Sequence, residues 1–428
     1  MQVHPNPATS GRSRRRFLQG AATAGAATLL RAAGEEINVG LVGCGGRGTG
    51  AAAQALQADD LAILTAVADV DQERIDRCLE QVEGRHEGKG KVRVPKAGQF
   101  LGLNAYRGVI DSGVDVVLLA TPPGFRPSHL RACVDAGKHV FCEKPVAVDA
   151  PGVRSVMESV RIAQEKRLSL VAGFCWRYNN MIVEAMDRIL SGEIGDIVAY
   201  YATFYTNPVK PMPPAYERPI GMSDVEWQIR NWYNFVWLSG DGLVEQAVHS
   251  ADKIAWAMGD DPPESCVAVG GRQIPANDGN IFDHFELNYL YPEGVRAFLG
   301  CRQIAGCYRE NADYILGTKG RLTIGRGLMP RIEGENPWMF RGQQRNMYQE
   351  EHDVLFRAIR RDEPLNDGVR MATSTQLAIL GRMSAYTGQE LTWEQGMQSK
   401  ERRFPRRLRW NMPHDVPPLA RPGTTKFV

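Results

Sequence analysis

The chain has 428 residues, of which 43% are hydrophobic and 23% are charged, and its formal net charge is +2. This length is more than one hydrophobic core usually organises, so two domains are expected. The composition is that of a globular protein, the balanced charge creates no field that attracts nucleic acid, and no run of 18 apolar residues predicts a membrane span.

The first 34 residues are interpreted as a targeting leader that is separate from the fold. Residues 13–19, Ser-Arg-Arg-Arg-Phe-Leu-Gln, resemble a twin-arginine export signal, and small, mildly apolar residues follow over 20–30. The pattern predicts export to the periplasm. The alternative is a basic leader on a cytoplasmic protein.

A glycine-rich turn follows the first predicted strand, which covers residues 37–42. Gly43, Gly45 and Gly48 have the spacing G-x-G-x-x-G, and small residues open a predicted helix over 49–56. In a dinucleotide-binding turn the three glycines permit the tight bend, the approach of a pyrophosphate and close packing of helix on strand. The N-terminus of the helix offers free N–H groups to the pyrophosphate. We therefore expect a bound dinucleotide in a Rossmann-type domain.

Asp69 bears on the identity of that dinucleotide. It ends a second predicted strand, over residues 61–68, and lies 21 residues beyond Gly48. An acid at about 20 residues from the glycines holds a ribose 2′-hydroxyl and repels a 2′-phosphate, which favours NAD over NADP. Arg74 lies five residues further on and weakens that preference, so NADP is the alternative.

The elements that follow alternate between helix and strand. They are predicted over residues 72–82 (helix), 114–120 (strand), 127–136 (helix) and 139–142 (strand), with an exposed loop at 83–98. Repeated βαβ units favour a parallel sheet with helices on both faces. The first domain is therefore expected to cover residues 35–150.

The second half of the chain, residues 151–400, has a different pattern. Strands are predicted at residues 197–205, 266–270, 281–289, 295–301, 314–317 and 321–324, and helices near 243–258, 350–360 and 374–387. Consecutive strands without crossover helices favour an open, mostly antiparallel sheet. Residues 401–428 are predicted to be an extended, basic and proline-rich tail, which either wraps a neighbouring subunit or lies exposed.

Lys144 follows a predicted parallel strand in the run Glu143-Lys144-Pro145. A lysine at the carboxyl edge of such a strand points into the crevice where ligands bind, and its ammonium can hydrogen-bond a substrate hydroxyl. Pro145 is a candidate for a cis peptide bond. The alternative interpretation is a surface Glu–Lys pair before a turn.

Glu245, His249 and Asp252 form a second candidate constellation. Residues i and i+4 share a helix face, and i+3 is adjacent, so Glu245 can orient His249, and the imidazole can act as a general base. The alternative is a structural histidine in a packed helix. Trp232, Tyr233 and Trp237 precede this helix and fit either a sugar pocket or the hydrophobic core.

Four stretches resemble the Gfo/Idh/MocA oxidoreductases, named for glucose–fructose oxidoreductase and inositol dehydrogenase. They read GLVGCGGRG, LLATPP…HLRACVDAGKHVFCEKP, GFCWRYNN and DGLVEQAVHSADKIAW, and the resemblance spans residues 36–395. It implies an NAD(P)-dependent oxidoreductase acting on a sugar, polyol or glycoside, with Lys144, His249 and Glu245 as catalytic residues. The family usually has Asp where this chain has Glu245.

The resemblance also implies which residues bind the ligands. Substrate contacts are expected from Trp176, Arg177 and Asp252. No metal is expected, because the cysteines form no C-x-x-C pair and do not cluster with His at zinc spacing. Cofactor contacts are expected from Gly43, Gly45, Gly46, Arg47, Gly48, Asp69, Thr121, Pro122, His129, Glu143 and Lys144.

Export would require a tightly bound cofactor, because NAD has no exchangeable pool outside the cytoplasm. That requirement keeps an alternative open: a glycoside hydrolase or epimerase that uses resident NAD in a redox-neutral cycle. The open sheet predicts a homodimer or homotetramer.

Overall fold

The computed structural model describes residues 34–325 and 327–428, and its first half is organised by a six-stranded parallel sheet with strand order β3-β2-β1-β4-β5-β6. The expected twin-arginine leader lies outside the described residues. The elements of this half are β1 (Ile37–Val42), α1 (Gly46–Ala58), β2 (Ala62–Asp69), α2 (Gln72–Arg85), β3 (Gln99–Leu101), α3 (Ala105–Asp111), β4 (Val116–Leu119), α4 (Arg126–Asp135), β5 (His139–Cys142), α5 (Ala150–Glu165) and β6 (Leu170–Ala172).

The central strands of this sheet are apolar because both of their faces are covered by helices. All four residues of β4 are buried, and β1 is buried except at Asn38. The strand order reverses between β1 and β4, which both pair in parallel, and such a switch point opens a crevice at the carboxyl ends of the strands. The expected Rossmann-type sheet is confirmed.

Two features of this half differ from the sequence-based expectation. The sheet continues past residue 150, because α5 crosses over and returns the chain to β6 beside β5. The segment 83–98 is not simply an exposed loop. Its Lys91 is buried and donates to the carbonyl oxygens of Leu56 (2.5 Å) and Asp59 (2.8 Å), and Val92 forms a bridge with Leu64.

The second half contains a nine-stranded sheet with strand order β14-β13-β12-β11-β7-β10-β9-β8-β15. Its elements are α6 (Asn180–Leu190), β7 (Ile197–Thr206), α7 (Asp224–Arg230), α8 (Val236–Ser239), α9 (Val248–Ala257), β8 (Ser265–Gly271), β9 (His284–Leu290), β10 (Arg296–Gln303), β11 (Glu310–Gly317), β12 (Gly320–Gly325), β13 (Leu328–Gly334), β14 (Trp338–Met339), α10 (Met347–Arg361), α11 (Gly368–Thr387), β15 (Leu391–Thr392) and α12 (Trp393–Gln398). The pairing is antiparallel except between β7 and β10, so the expectation of a mostly antiparallel sheet is confirmed.

Two late helices connect the halves. Leu355 and Phe356 of α10 join the apolar cluster under β1 and α1, while α11 packs between α5, α9 and β8. Most buried side chains of α5, α9 and the second sheet belong to one continuous core. Both helices therefore contact elements of the first half as well as of the second.

The last segment, residues 401–428, lies against the body of its own chain. Phe404 packs on Phe125 and Trp237, with ring centroids 5.0 and 5.6 Å apart. The hydroxyl of Ser399 donates to the carbonyl oxygen of Val428 at 2.6 Å. The segment is therefore anchored to the body of its own chain at these points, and wrapping of a neighbouring subunit stays a prediction.

The eight cysteines are free; seven are buried and Cys307 is exposed. Within residues 34–325 and 327–428, no helix is both long and apolar enough to cross a membrane. The same residues contain no group of three or more His, Cys, Asp or Glu side chains placed to hold a metal ion.

Candidate active site

A cleft of about 430 Å³ opens at the carboxyl ends of β1, β2, β4 and β5. The second half of the chain closes it with residues from the start of α9 and from the segments on either side of α7. All eleven residues that the sequence assigned to the cofactor line this cleft: Gly43, Gly45, Gly46, Arg47, Gly48, Asp69, Thr121, Pro122, His129, Glu143 and Lys144.

The glycine turn has the geometry of a site for a pyrophosphate. Gly43 has φ +101°, and a Cβ on Gly48 would lie 1.8 Å from the carbonyl oxygen of Gly43, so neither position accepts a side chain. A Cβ on Gly45 would meet nothing within 4 Å, which leaves the cleft side of the turn open. No side chain caps α1, so the N–H groups of its first turn face the cleft without a side-chain acceptor.

Asp69 lines the cleft and also braces the glycine turn. Its Oδ2 accepts the backbone N–H of Cys44 at 2.7 Å, and its Oδ1 accepts that of Val70 at 2.7 Å. Burial raises the pKa of the carboxyl, and the hydrogen bonds from Cys44 and Val70 oppose that rise. A carboxylate held at the end of β2 is placed to receive ribose hydroxyls.

Arg47 connects the glycine turn to the strand end that carries the candidate catalytic lysine. Its Nε donates to Glu143 Oε1 at 2.5 Å, and its guanidinium lies 4.9 Å from the ring centroid of Tyr348. A guanidinium nitrogen lies 3.8 Å from the fully buried Glu351, and burial raises the pKa of that carboxyl well above its usual range. Sequence reasoning missed Tyr348 and Glu351, because α10 reaches the site only through tertiary packing.

Lys144 extends from the end of β5 towards the start of the α9 segment. Its Nζ donates to the carbonyl oxygen of Glu245 at 2.5 Å and lies 3.2 Å from Glu245 Oε1. Both side chains are buried, and the Lys144–Pro145 peptide bond is cis, as the sequence suggested. The structure thus rules out a surface Glu–Lys pair, because Lys144 is only 9% exposed.

His249 lies one turn beyond Glu245, and its ring lines the same cleft. Desolvation, followed by the positive charge of Lys144, lowers the pKa of this imidazole well below its usual value. Nδ1 is buried without a hydrogen-bond partner. The imidazole is therefore neutral near pH 7 and retains a nitrogen lone pair that can accept a proton.

The backbone before α9 forms a π-helical turn, Leu243–Ala247, that carries Glu245. Such wide turns recur at functional sites because they displace a side chain from the regular helical face. Here Glu245 Oε2 accepts from the amide of Gln246 at 2.5 Å, while Oε1 faces Lys144. The carboxylate therefore orients the ammonium group.

His129 and Thr121 form the floor of the cleft next to β4. The ring of His129 stacks on Tyr106 with centroids 4.1 Å apart, and its Nδ1 lies 3.3 Å from Thr121 Oγ1. Burial, with a further contribution from Arg126, lowers the pKa of His129 to about 3. This histidine is a neutral, packed residue that shapes the cleft.

The three residues expected to contact substrate do not line the cleft. Arg177 donates through Nε to Asp252 Oδ1 at 2.9 Å and also pairs with Asp260, so its guanidinium is committed to a buried network. Trp176 packs against the ammonium of Lys253, with 5.3 Å between nitrogen and ring centroid. Their expected substrate contact is corrected, because helix α9 presents Asp252 and Lys253 to the core.

The aromatic residues before α9 divide between the cleft and the core. Trp232 and Tyr233 line the cleft, whereas Trp237 packs on Phe125 and Phe404. The hydroxyl of Tyr233 donates to Gln303 at 2.8 Å. The cleft wall also includes Lys210, whose ammonium lies 5.1 Å from the centroid of Trp232 and which the sequence did not reveal.

Comparison with known proteins agrees with this architecture. The family model described as "Oxidoreductase family, NAD-binding Rossmann fold" matches residues 37–174, and the GFO/IDH/MocA C-terminal domain matches residues 182–323. The first match ends just after β6 and the second begins within α6, so both limits lie beyond the expected boundary at residue 150.

Curated relatives include a mouse trans-1,2-dihydrobenzene-1,2-diol dehydrogenase and a myo-inositol 2-dehydrogenase from Thermotoga maritima. The chain is 25% identical to the first over 62% of its own length and 70% of the relative's. It is 25% identical to the second over 53% of its own length and 57% of the relative's. In a third alignment, with an uncharacterized oxidoreductase of Streptococcus pneumoniae, the chain spans 52% of the relative.

A solved structure with the same fold is levoglucosan dehydrogenase in complex with NADH and levoglucosan. It superposes with a TM-score of 0.65 at 17% identity and covers 84% of this chain and 99% of that chain. At this identity the likeness concerns the fold.

Proposed function

This chain belongs to the Gfo/Idh/MocA oxidoreductase family, and on that premise we propose that it is an NAD-dependent dehydrogenase of a sugar or polyol. The observation that carries the proposal is the convergence of Lys144, Glu245 and His249 in the same cleft as the glycine turn. The dehydrogenase names of the relatives support net oxidation of a carbinol over redox-neutral glycoside cleavage.

The residues around the glycine turn fit a dinucleotide. The uncapped start of α1 and the open space at Gly45 suit the pyrophosphate, and Asp69 suits the ribose hydroxyls. The remaining walls, Thr121, Pro122 and Glu143, would border the nicotinamide. Bound there, the nicotinamide ring supplies the acceptor for a hydride from the carbinol carbon.

Lys144 and His249 handle the hydroxyl group of the substrate. The Lys144 ammonium, held by Glu245, donates a hydrogen bond to the oxygen and stabilises negative charge that develops there. The neutral imidazole of His249 accepts the hydroxyl proton. Glu245 positions the lysine, and its longer arm relative to Asp lets one oxygen hold Gln246 while the other holds Lys144.

The function is tested by nucleotide release and turnover. The purified protein is denatured and any released nucleotide is identified. It is then incubated with NAD and a panel of polyols and aldoses, and NADH formation is followed. We expect NADH with at least one compound and its loss in Lys144→Gln, whereas the exposed Lys89→Gln control retains it. Release of an aryl alcohol from aryl glycosides without accumulation of NADH would contradict net oxidation.

We propose NAD as the preferred cofactor because the Asp69 carboxylate occupies the position that a 2′-phosphate would approach. Arg74 lies nearby and pairs with Asp71 at 3.8 Å, which reduces its availability for a phosphate. NADH is expected to bind at least about 10-fold more tightly than NADPH. Replacement of Asp69 by Ser should reduce the ratio of NADH affinity to NADPH affinity. An unchanged ratio would show that Asp69 does not determine the cofactor preference.

We also propose that the outer face of the second sheet mediates a homodimer or homotetramer. Side chains exposed on this face include Tyr201, Val267, Val269 and Leu316. An apolar patch of this kind is typical of an interface. Light scattering at micromolar concentration checks the prediction, and a monomer would contradict it.

Export by the twin-arginine route is proposed on the pattern at residues 13–19 alone. Replacing Arg14 and Arg15 with Lys should retain the protein in the cytoplasm of a host that has this route. Unchanged export would contradict the proposal.

A further inference from the structure

Five cationic side chains line the cleft, and three of them have acidic partners. Arg47 pairs with Glu143, Lys144 pairs with Glu245, and Arg74 pairs with Asp71. Within residues 34–325 and 327–428, the other two, Arg126 and Lys210, have no carboxylate within 4.0 Å.

Arg126 is the more unusual of the two, because it is only 4% exposed. One guanidinium nitrogen donates to the carbonyl oxygen of Pro145 at 2.5 Å, and Nε has no hydrogen-bond partner. Burial lowers the pKa of this guanidinium, and the negative charges of Glu143 and Glu245 oppose the shift from a distance. A buried cation without a paired anion is costly, so such a group normally has a role that compensates.

The position of Arg126 increases its positive potential. It lies where a 3-10 turn, Pro123–Phe125, runs into α4, within one turn of the positive end of the helix dipole. The hydrogen bond to Pro145 fixes it beside the strand end that carries Lys144. The pyrophosphate has its own site at the start of α1, and Arg126 lies instead with the residues that handle the substrate hydroxyl.

We propose that Arg126 binds a carboxylate of the substrate, so that the enzyme acts on a sugar acid in preference to the neutral sugar. This inference rests on the proposed function and specifies its substrate class. The planar guanidinium offers hydrogen-bond donors to a carboxylate in a matching geometry. Lys210, at the mouth of the cleft over Trp232, adds a second positive charge that favours entry of an anion.

The test uses the full-length protein loaded with NADH and pairs of acids with their neutral parents. The probes are D-glucuronate with D-glucose, D-galacturonate with D-galactose, and D-gluconate with D-glucitol, titrated by calorimetry. In the wild type, at least one acid is expected to bind about 10-fold or more tightly than its parent, the value of a charge-assisted hydrogen bond. Arg126→Gln is expected to abolish that preference and leave NADH affinity unchanged.

Two further variants make the result decisive. Arg131→Gln removes an exposed arginine of the same helix, paired with Asp135, and should change neither affinity. Arg126→Lys keeps the positive charge but lacks the planar set of donors, so the preference of the protein for the acid over its neutral parent should be partly lost. This variant keeps the proposal testable if Arg126→Gln does not fold.

Three results would overturn the proposal: no acid preferred over its parent in the wild type, a preference that persists in the folded Arg126 variants, or a loss of NADH affinity in those variants. The last result would assign Arg126 to the cofactor. A wild-type protein that binds no NADH would instead overturn the proposed function itself, so the two failures are distinguishable.

Discussion

The α9 segment has one side that faces the cleft and one that faces the core, and acidic and basic residues have different roles on the two sides. On the cleft side, Glu245 contacts Lys144, and His249 lines the same cleft with its Nδ1 buried and without a hydrogen-bond partner. On the core side, Asp252 is held by Arg177 and Ser374, and Lys253 pairs with Asp313. Ion pairs enclosed in the core therefore mark the structural side, and residues that line the cleft mark the candidate reactive side.

The difference between the sides arises from the backbone. Glu245, His249 and Asp252 would share a face in a regular α-helix. The π-helical turn Leu243–Ala247 changes the phase of Glu245 only, because His249 and Asp252 both lie in the regular helix α9. Three residues apart, these two side chains are offset by almost one turn along the axis and about 60° around it, so His249 reaches the cleft and Asp252 reaches Arg177.

The largest effect is expected from His249→Asn. Loss of the proton acceptor should lower kcat about 10³-fold, the usual contribution of a general base. The free energy of unfolding should change by less than about 1 kcal/mol, because the neutral imidazole has no charge partner to leave behind. Steady-state kinetics and urea denaturation measure the two quantities. A fall in unfolding free energy larger than the rise in activation free energy calculated from kcat would show that the cleft side is also structural.

Asp252→Ala tests the core side. It leaves the buried Arg177 with Asp260 as its remaining acidic partner and removes the acceptor of Ser374, so a loss of about 3 kcal/mol in unfolding free energy is expected. The kcat of the folded protein should stay within a few-fold of the wild type. Asp261→Ala, an exposed acid near the end of the same helix, is the control. A large fall in kcat with an unchanged unfolding free energy would show that Asp252 acts in the active site.

A pH experiment extends the comparison to Asp241, which precedes the wide turn. Burial raises the pKa of its carboxyl to about 6, opposed by hydrogen bonds from Tyr386 and the backbone of Phe282. Because the folded pKa is raised, the protonated acid contributes stability that is complete below about pH 3.8 and is lost as the pH rises through 6. This amounts to about 3 kcal/mol. Asp241→Asn should show a weaker fall in unfolding free energy between pH 4 and 7, and an identical fall would contradict the assignment.

The smallest effect is expected from Glu245→Gln. The amide oxygen can still accept from Lys144, and the backbone carbonyl of residue 245 keeps its own hydrogen bond to the lysine. A fall in kcat of about 10-fold, or 1.4 kcal/mol, corresponds to lost orientation of the ammonium. A loss as large as that of His249→Asn would mean that the carboxylate contacts the substrate directly.

The glycine turn, and the grouping of the candidate cofactor residues in one cleft, were predictable because their signal is local. Gly43, Gly45 and Gly48 have a spacing that only one kind of turn requires, and Asp69 follows at a fixed distance along one βαβ unit. The strand ends that carry Thr121 and Glu143 follow from the same alternation. Sheet order and the cleft position then follow from general rules of parallel sheets.

The substrate side was not predictable to the same degree because it is assembled from distant segments. Arg126, Lys210 and Tyr348 come from three separate parts of the chain, and no spacing connects them. Asp252 and Arg177 were misassigned because a charged residue next to a motif has the same sequence signature whether it faces a ligand or a buried ion pair. The π-helical turn that carries Glu245 likewise has no sequence signal in a single chain.

The contact between Phe404 and the rings of Phe125 and Trp237 has a practical consequence for anyone shortening this protein. Phe125 immediately precedes Arg126 and lines the cleft. A version that stops at Lys400 would lack Phe404, so the cleft wall formed by Phe125 would lose the ring that packs behind it. Such a version is expected to precipitate or to lose coenzyme affinity, although every motif that identifies the family would still be present in its sequence.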